Sequence, residues 1–395
     1  MKRVLILNGS FCELPLIEQA KKMGLHVITT GNDPSLIGHK YSDEYIPCDY
    51  SDLDAVLNLV KENNIDGIIS CANDFGVLTA SYVADKMNWP GHDTYKNSVL
   101  LHHKDEFKKY CYEHNIPSPH SKVVLTKEEA KKVALDAEYP IIVKANDLTG
   151  GKGIMKASNY EEAEIAIDNA FNMSRDKHIL IEPFIVGTQH TISTFVVNKK
   201  VLVSTACNCY SPINPYLIQS ETFPADGIEN HRQELCNIIE SICEDLSLED
   251  GIFALQYIMS NDKIYIIEMM RRPFGNQFLE LCSKTTGLNW NEAHIKSQLG
   301  MDCSNLKIEA PEMKYCGHHG IMTNKNGVVV NYEIPDEIKK HVYKVIEMKD
   351  DNGEYVINDC NKERVAYIYY QYESKEEMNK AVSRFNDEIK VIYKE

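Results

Sequence analysis

The chain has 395 residues and a formal charge of −16 at pH 7. A chain this negative repels phosphate backbones, so we expect no nucleic-acid partner. Hydrophobic residues make up 43% and charged residues 25%, as in ordinary globular proteins, and the length suffices for two or three domains. No apolar run approaches the roughly 20 residues that a membrane-spanning helix needs. The opening MKRVLILNGS predicts a strand rather than a signal peptide, so we expect no membrane partner.

The twelve cysteines are scattered along the chain, with one Cys-x-Cys pair at Cys207 and Cys209. No Cys-x-x-Cys pair occurs, and no two histidines stand at a spacing typical of zinc sites. This usage predicts reduced thiols in the cytoplasm, most of them small buried side chains. His318 and His319 are adjacent, so on a strand they point to opposite faces. We therefore expect them to have a structural role rather than to bind a metal as a pair.

Strands and helices alternate over residues 1–98. Strands are predicted at 4–7, 26–30 and 66–71, and helices at 14–24, 53–64 and 75–87. Ser51 begins an S-x-x-D cap before the second helix. This order is typical of a parallel sheet with helices on both faces. Neither G-x-G-x-x-G nor a P-loop occurs, so we expect a Rossmann-like shape without dinucleotide binding.

From about residue 99 the pattern changes to that of an α+β unit. Strands are predicted at 121–126, 141–145, 179–185, 190–197 and 201–206, and helices at 104–114, 127–137, 160–172 and 231–246. Capping boxes, Thr126 with Glu129 and Ser158 with Glu161, precede two of these helices. A third unit starts near residue 308. Its predicted elements are strands around 328–332, 343–348 and 365–371 and a helix over 375–387, capped by Ser374 and Glu377.

The most informative segment runs from Gln256 to Asn276, QYIMSNDKIYIIEMMRRPFGN. It predicts two strands joined by a polar turn, which places Gln256 beside Glu268. A carboxylate inside an apolar strand is costly unless something compensates it. One amide oxygen and one carboxylate suit Mg²⁺, which leaves its other positions to phosphates and water. A buried salt bridge between Glu268 and one of the arginines that follow it is the alternative.

A lysine and a glycine loop predict a phosphate site. Lys144 closes the strand IIVK, and the next loop contains Gly150, Gly151, Lys152 and Gly153. Glycines let backbone N–H groups approach anionic oxygens, while the two ammonium groups supply positive charge. The alternative is a mobile hairpin turn with surface lysines.

Two further features are consistent with a nucleotide site. Lys104 opens a helix, where a cation opposes the helix dipole unless a phosphate offsets it. The segment ILIEPFIVG contains Glu182, Pro183, Phe184 and Ile185. Its backbone is suited to an adenine edge, with the Pro183 carbonyl accepting and the Ile185 N–H donating, while Gln189 is placed to reach a ribose. A solvated lysine and an ordinary strand with a turn are the alternatives.

In chain order these features resemble the ATP-grasp superfamily over most of the chain. The order is Lys104, Lys144 with the glycine loop, Glu-Pro-Phe-Ile-x-Gly from residue 182, Gln256, Glu268 and Arg272. Gln256 and the segment SKTTG at 283–287 resemble the carbamoyl-phosphate synthetase branch, and the C-terminal unit resembles that of carboxylate–amine ligases. Three departures stand out: Met270 replaces an asparagine that normally helps to bind metal, Gln256 replaces the more common glutamate, and Gln189 replaces an acid.

The resemblance implies a mixed α/β and α+β fold class. A Rossmann-like pre-ATP-grasp domain is expected over residues 1–98 and an ATP-grasp domain over 99–307. A small, lid-like α+β domain is expected over 308–395. The family also leans toward a homodimer.

The resemblance also implies an ATP-dependent carboxylate–amine ligase that forms an amide through an acyl phosphate. Lys104, Lys144 and Lys152 would neutralise the phosphates, and residues 182–185 and Gln189 would hold the nucleoside. Gln256 and Glu268 would bind Mg²⁺, or Mn²⁺ in its place. Arg272 would stabilise the transferring phosphoryl group, and Arg271 would bind a carboxylate substrate. The partners expected are small-molecule acids and amines.

Three alternatives stay open at this point. The first is an enzyme that activates bicarbonate or another small carboxylate, as in carbamoyl-phosphate or purine pathways. The second is a nucleotide-binding regulator without catalysis, suggested by Met270. The third is an NAD-dependent dehydrogenase, which the missing glycine fingerprint disfavours.

Overall fold

The computed structural model describes residues 1–148, 150–349 and 353–394. The N-terminal part is a parallel four-stranded sheet with the strand order β3-β2-β1-β4. Its strands are β1 (Arg3–Leu7), β2 (His26–Gly31), β3 (Glu44–Pro47) and β4 (Gly67–Ile69). Its helices are α1 (Leu14–Lys22), α2 (Leu53–Glu62) and α3 (Asp74–Met87), with a 3₁₀ turn at Ile37–Lys40. The alternating strand–helix order thus forms the parallel sheet that the sequence predicts.

A second, antiparallel sheet has the order β5-β8-β6-β7. Two helices, α4 (Tyr95–His102) and α5 (Lys104–Glu113), lead into it. Its elements are β5 (Lys122–Val124), α6 (Lys127–Leu135), β6 (Ile141–Ala145), β7 (Ile154–Ala157), α7 (Tyr160–Met173) and β8 (Ile179–Pro183). Helices α6 and α7 share one hydrophobic core with the four strands, so together they form a lobe.

The largest sheet has eight strands in the order β13-β12-β9-β10-β11-β14-β18-β16. Its first elements are β9 (Thr188–Val197), β10 (Lys200–Tyr210), β11 (Ser220–Phe223), α8 (Ile228–Asp245), β12 (Gly251–Ser260), β13 (Lys263–Met270), α9 (Phe278–Thr286), α10 (Trp290–Gln298) and β14 (Tyr315–Met322). The remaining elements are β15 (Gly327–Glu333), α11 (Asp336–Lys339), β16 (Val342–Glu347), β17 (Tyr355–Ile357), β18 (Arg364–Tyr372), α12 (Lys375–Val382), α13 (Phe385–Glu388) and β19 (Lys390–Tyr393). Strands β15, β17 and β19 form a separate small sheet. The large sheet therefore takes strands from both sides of residue 307.

Different helices pack against the two faces of the large sheet. Leu255 and Tyr257 on β12 pack with α8 in one core, whereas Ile252 packs with α9 and α10 in another. Since side chains alternate along a strand, Gln256 lies on the face opposite Leu255 and Tyr257. That face is open where β12 and β13 approach the second sheet. Most of the residues predicted for the functional site lie there.

Two predicted helix caps and the extent of one predicted helix are wrong. Helix α2 is capped by Asp52, which accepts from the Ala55 N–H at 3.0 Å, and not by Ser51. Helix α7 is capped by Asn159 rather than Ser158. In both cases two residues able to cap stand side by side, and the second takes the position. The predicted helix over 375–387 is two short helices, α12 and α13.

None of the helices in the described ranges has the length and apolar character that would let it cross a bilayer. All twelve cysteines carry free thiols.

A buried ion pair joins the N-terminal part to the large sheet. Arg271, just after β13, donates through Nε to Asp93 Oδ2 at 2.8 Å and through Nη2 to Asp93 Oδ1 at 3.1 Å. The Arg271 side chain is 5% exposed and the Asp93 side chain 6%. The guanidinium also donates to the carbonyls of Glu249 and Ile252. The prediction that Arg271 binds a carboxylate substrate is therefore wrong, because its charge is satisfied inside the protein.

Replacing one member of this pair should destabilise the fold. Asp93→Ala leaves a buried guanidinium without its carboxylate and should lower the free energy of unfolding by about 3–5 kcal/mol. The matched control is Glu388→Ala, which breaks an exposed pair with Arg384 and should cost less than about 1 kcal/mol. Urea unfolding followed by circular dichroism compares the two. Equal losses would contradict a structural role for the Asp93–Arg271 pair.

Candidate functional site

A cleft of about 740 Å³ lies between the second sheet and the large sheet, beside the start of α3. Its charged lining residues are Asp74, Lys104, Lys144, Lys156, Glu182, Glu221, Glu268, Arg272 and Arg364. These are five cations and four carboxylates, so the cleft has a formal charge of +1 inside a chain of −16. A triphosphate would meet far less repulsion here than at an average position on this protein.

Most of the residues predicted for the site line this one cleft. They are Lys104, Lys144, Gly150, Gly151, Glu182, Pro183, Phe184, Ile185, Gln189, Gln256, Glu268 and Arg272. Arg271, Lys152 and Gly153 do not. Lys152 is exposed to solvent, and Gly153 is buried with its carbonyl accepting from the Ala145 N–H at 2.8 Å. The phosphate contact of Lys152 therefore stays a prediction, because its side chain does not line the cleft in this arrangement of the loop.

A buried carboxylate fixes the lysine at the cleft floor. Glu182 on β8 lies opposite Ile142 on β6, so its side chain is a diagonal neighbour of Lys144. Lys144 donates to Glu182 Oε2 at 2.7 Å, and Lys108 lies 3.7 Å from Oε1. Ser121 also donates to Oε1. Glu182 thus positions Lys144 and is not itself free to contact a ligand.

These contacts decide the charge of Glu182. Burial alone would raise the pKa of its carboxyl, but Lys108 and Lys144 outweigh burial and lower the pKa to about 2. Burial lowers the pKa of Lys108, and Glu182 opposes that change. The cluster therefore keeps a charged carboxylate beneath the cleft, where it holds the Lys144 ammonium in place.

The glycine loop is closed down onto the large sheet. Lys104 donates to the carbonyls of Asn146 and Leu148 at the start of the loop, at 3.3 and 2.6 Å. Gly151 has φ +74°, and a Cβ there would lie 2.5 Å from the Tyr216 carbonyl oxygen, so only glycine fits. The Tyr216 hydroxyl accepts from the Lys156 N–H at 2.7 Å. Thr149 of the loop lies outside the described residues.

The predicted metal hairpin has the expected register. Gln256 pairs directly with Glu268, and a bulge follows between Gln256 and Tyr257. Gln189 on β9 donates to Gln256 Oε1 at 3.4 Å, so it lies beside this pair. The two arginines that could have bound Glu268 pair elsewhere, Arg271 with Asp93 and Arg272 with Asp74. Neither arginine forms the salt bridge with Glu268 that was the alternative, although Glu268 contributes to raising the pKa of Arg272.

Arg272 is anchored across the cleft. Its Nε lies 2.5 Å from Asp74 Oδ1, at the start of α3, and Asp74 also contacts His102 Nδ1 at 3.1 Å. Burial would raise the pKa of Asp74, but Arg272 and His102 outweigh it and hold that pKa well below its usual range. Burial alone would lower the pKa of Arg272, but the Asp74 carboxylate outweighs burial and raises that pKa. Arg272 is therefore a fixed cation that faces the cleft.

Sequence reasoning missed several residues that line the cleft. They are Asp74, Lys156, Tyr216, Asn276 and Arg364. Lys156 lies two residues beyond the start of β7 and places its ammonium 4.5 Å from the Phe184 ring. Because Lys156 follows the glycine loop closely in sequence, its place in the cleft could have been predicted. The other four lie in parts of the chain that only the folded structure brings to the cleft.

Comparison with known proteins agrees with this geometry. The family model described as "Carbamoyl-phosphate synthase L chain, ATP binding domain" matches residues 103–306, more than half of the chain. This chain belongs to that family. The resemblance to the ATP-grasp superfamily drawn from the motifs is thereby confirmed.

A curated relative, the carbamoyl phosphate synthase large chain of Clostridium acetobutylicum, is 23% identical over 318 residues. The match covers 75% of this chain and 28% of that protein, so the chain spans less than a third of its relative.

Two solved structures are similar over almost the whole chain. The L-amino acid ligase from Bacillus licheniformis has a TM-score of 0.83 at 17% identity, covering 100% of this chain and 99% of that one. The biotin carboxylase domain of the Hydrogenobacter thermophilus 2-oxoglutarate carboxylase, solved with MgADP and bicarbonate, has a TM-score of 0.78 at 17% identity, covering 99% and 90%. These likenesses confirm the predicted fold class.

The Glu182 cluster predicts a specific loss of stability in acid. Because the pKa of Glu182 is about 2 in the folded protein against an ordinary value of 4.5, its contribution is complete above pH 4.5 and is lost as the pH falls toward 2. The contribution amounts to about 3 kcal/mol. Glu182→Gln cannot titrate, so its unfolding free energy should fall less steeply over this range. Urea titrations at stepped pH measure both slopes.

The control for this comparison is the exposed Glu18→Gln, which should follow the wild-type slope. Parallel curves for wild type and Glu182→Gln would show that Glu182 is not held charged by its lysines.

Proposed function

We propose that the protein is an ATP-dependent ligase that joins a small-molecule carboxylate to an amine and releases ADP and phosphate. The observation that carries the proposal is the convergence of Lys104, Lys144, Arg272 and the Gln256–Glu268 pair on one cleft. Each of these cations is fixed by an internal partner, so the cleft is organised before any ligand arrives. Positioning and charge neutralisation are what phosphoryl transfer requires of a protein.

The nucleotide would lie along the second sheet. Its adenine would contact the backbone of residues 183–185, and Phe184 offers an apolar ring beside it. The phosphates would run toward Lys144 and Lys104, with Lys156 as a further cation at the same wall. Gln189 remains our proposal for a ribose contact, although it also donates to Gln256.

Gln256 and Glu268 are the residues that would hold Mg²⁺. Glu268 pairs with neither adjacent arginine, and Gln256 presents its oxygen from the strand directly beside it. This oxygen-only donor set suits a hard cation, with Mn²⁺ as the other candidate. When bound, such an ion would neutralise charge on the phosphates. Met270 lines the cleft where a second ligand is usual in the family, so we propose a single dominant metal position.

The γ-phosphoryl group would pass to the substrate carboxylate and give an acyl phosphate, which the amine then attacks with release of phosphate. Arg272 faces the cleft as a fixed cation and would stabilise charge on the transferring group. The glycine loop is seated on Tyr216 and would keep water away from the acyl phosphate. The loop would also have to open for exchange of substrate and product.

A second candidate acid is bicarbonate. Gln256 stands where the carbamoyl-phosphate synthetase branch has glutamine, and one similar structure was solved with bicarbonate. The biotin carboxylase relative is described as a domain dimer, which supports a homodimer here. The twelve free thiols support a reducing compartment such as the cytoplasm.

ADP release should require the cleft residues. In a screen of carboxylates against amines, with bicarbonate among the acids, the wild type should release ADP and phosphate with at least one pair. Glu268→Gln and Lys144→Met should each lower kcat/KM by about 100-fold or more, since each removes stabilisation of transition-state charge. Coupled ADP assays, with product masses confirmed by mass spectrometry, measure this.

Glu18→Gln serves as the matched control, because it removes an exposed carboxylate that does not line the cleft. Near-wild-type turnover in Glu268→Gln would refute the site. Tight ATP binding by the wild type with no ADP release across the whole panel would instead favour a nucleotide-binding regulator.

A further inference from the structure

Four side chains form a row across three neighbouring strands of the large sheet. Cys209 on β10 pairs directly with Glu221 on β11, and Glu221 pairs directly with His318 on β14. Cys207 lies two residues before Cys209, so it projects from the same face. The Cys-x-Cys pair therefore belongs to a cross-strand cluster that strand pairing brings together.

The cluster is buried and centred on one carboxylate. The Sγ atoms of Cys207 and Cys209 lie 3.5 and 3.8 Å from Glu221 Oε1. His318 Nε2 lies 2.5 Å from Glu221 Oε2. Relative exposure is 0% for Cys207, 8% for Cys209, 5% for Glu221 and 0% for His318. The cluster lies outside the roles assigned to the cleft in the ligase reaction.

We propose that Cys207, Cys209 and Glu221 bind one Zn²⁺ ion, with His318 holding Glu221 from the outer side. Zinc takes sulfur ligands at about 2.3 Å and carboxylate oxygens at about 2.1 Å, so a tetrahedral angle between them sets a sulfur–oxygen separation of about 3.6 Å. The two observed separations, 3.5 and 3.8 Å, match this value. The three ligand atoms lie within 4.8 Å of one another, as a shared ion requires. Each thiol gives its proton to solvent as its sulfur binds the metal.

His318 completes the arrangement. Its Nε2 is aimed at the second carboxylate oxygen, which fixes the orientation of Glu221 as groups behind metal ligands do. Its Nδ1 is buried and makes no hydrogen bond to any described residue. His318 is therefore oriented by its contact with Glu221 and by the rings of Tyr367 and Tyr369 around it.

This site differs from the proposed magnesium pair in place and in chemistry. Cys207 pairs with Thr191 on β9, and Thr191 pairs with Gln256 on β12. Two strand spacings, about 10 Å, thus separate Cys207 from Gln256. Thiolates favour zinc and disfavour magnesium.

The site also has a route to solvent, because Glu221 lines the cleft. Three protein ligands leave one tetrahedral position for water or for a group on a substrate. The competing explanation is that both thiols are neutral and serve as hydrogen-bond donors to a buried carboxylate.

Metal binding by the full chain distinguishes the two explanations without using ATP or any activity. The protein is stripped with a chelator and titrated with Co²⁺, which reports thiolate ligands through a sulfur-to-cobalt charge-transfer band. The wild type should develop the band to one equivalent, and one equivalent of Zn²⁺ should abolish it. Cys207→Ser and Cys209→Ser should each lose the band, whereas the buried Cys243→Ser control should retain it. His318→Gln should weaken Co²⁺ binding by about 10–100-fold.

No charge-transfer band in the wild type, or a band unchanged in both serine variants, would overturn the proposal. X-ray absorption of the zinc-loaded wild type gives a second test if the variants fail to fold. Two sulfur neighbours at about 2.3 Å are expected there, and a shell of oxygen and nitrogen alone would also overturn it. Failure of the ligase assay would leave both readouts unaffected.

Discussion

The structure depends on buried carboxylates that hold the cations of the cleft in place before any nucleotide enters. Lys144 is only 9% exposed, and a buried charge is costly unless an opposite charge accompanies it. Glu182 supplies that charge through a 2.7 Å contact from the neighbouring strand. Arg272 is held in the same way by Asp74, at 2.5 Å. The cleft is thus organised by its own carboxylates, and a triphosphate can enter without the protein first having to rearrange its charges.

The two arginine–aspartate pairs also connect parts of the chain that are far apart in sequence. Asp74 lies at the start of α3 and Arg272 two residues after β13, so their contact joins the N-terminal sheet to the large sheet beside the cleft. Arg271, the preceding residue, pairs with Asp93 away from the cleft. The two consecutive arginines therefore have different roles: Arg271 stabilises the fold, and Arg272 places a positive charge in the cleft.

Local sequence patterns predicted the residues that face the cleft better than the long-range contacts that hold those residues in place. The Gln256–Glu268 pairing and the β6–glycine loop–β7 unit depend on residues close in sequence, so turn and alternation rules sufficed for them. Long-range packing brings three further lining residues to the cleft: Asp74, Tyr216 and Arg364. Periodicity and turn rules use residues close in sequence, so they do not predict such contacts. Arg271 was misassigned because the partner that claims it, Asp93, lies 178 residues earlier. The Cys207–Cys209–Glu221–His318 row was missed for a related reason: β11 and β14 are short or rich in glycine and histidine, and only their pairing reveals the cluster.

The central claim is that one triphosphate–metal pocket lies between the second sheet and the large sheet. The most direct test is a crystal structure of the protein with Mg²⁺ and a non-hydrolysable ATP analogue. The account predicts adenine against residues 183–185, phosphates at Lys104 and Lys144, and a metal ion on Gln256 and Glu268. A nucleotide bound anywhere else, or a metal ion in the cleft that contacts neither Gln256 nor Glu268, would contradict it.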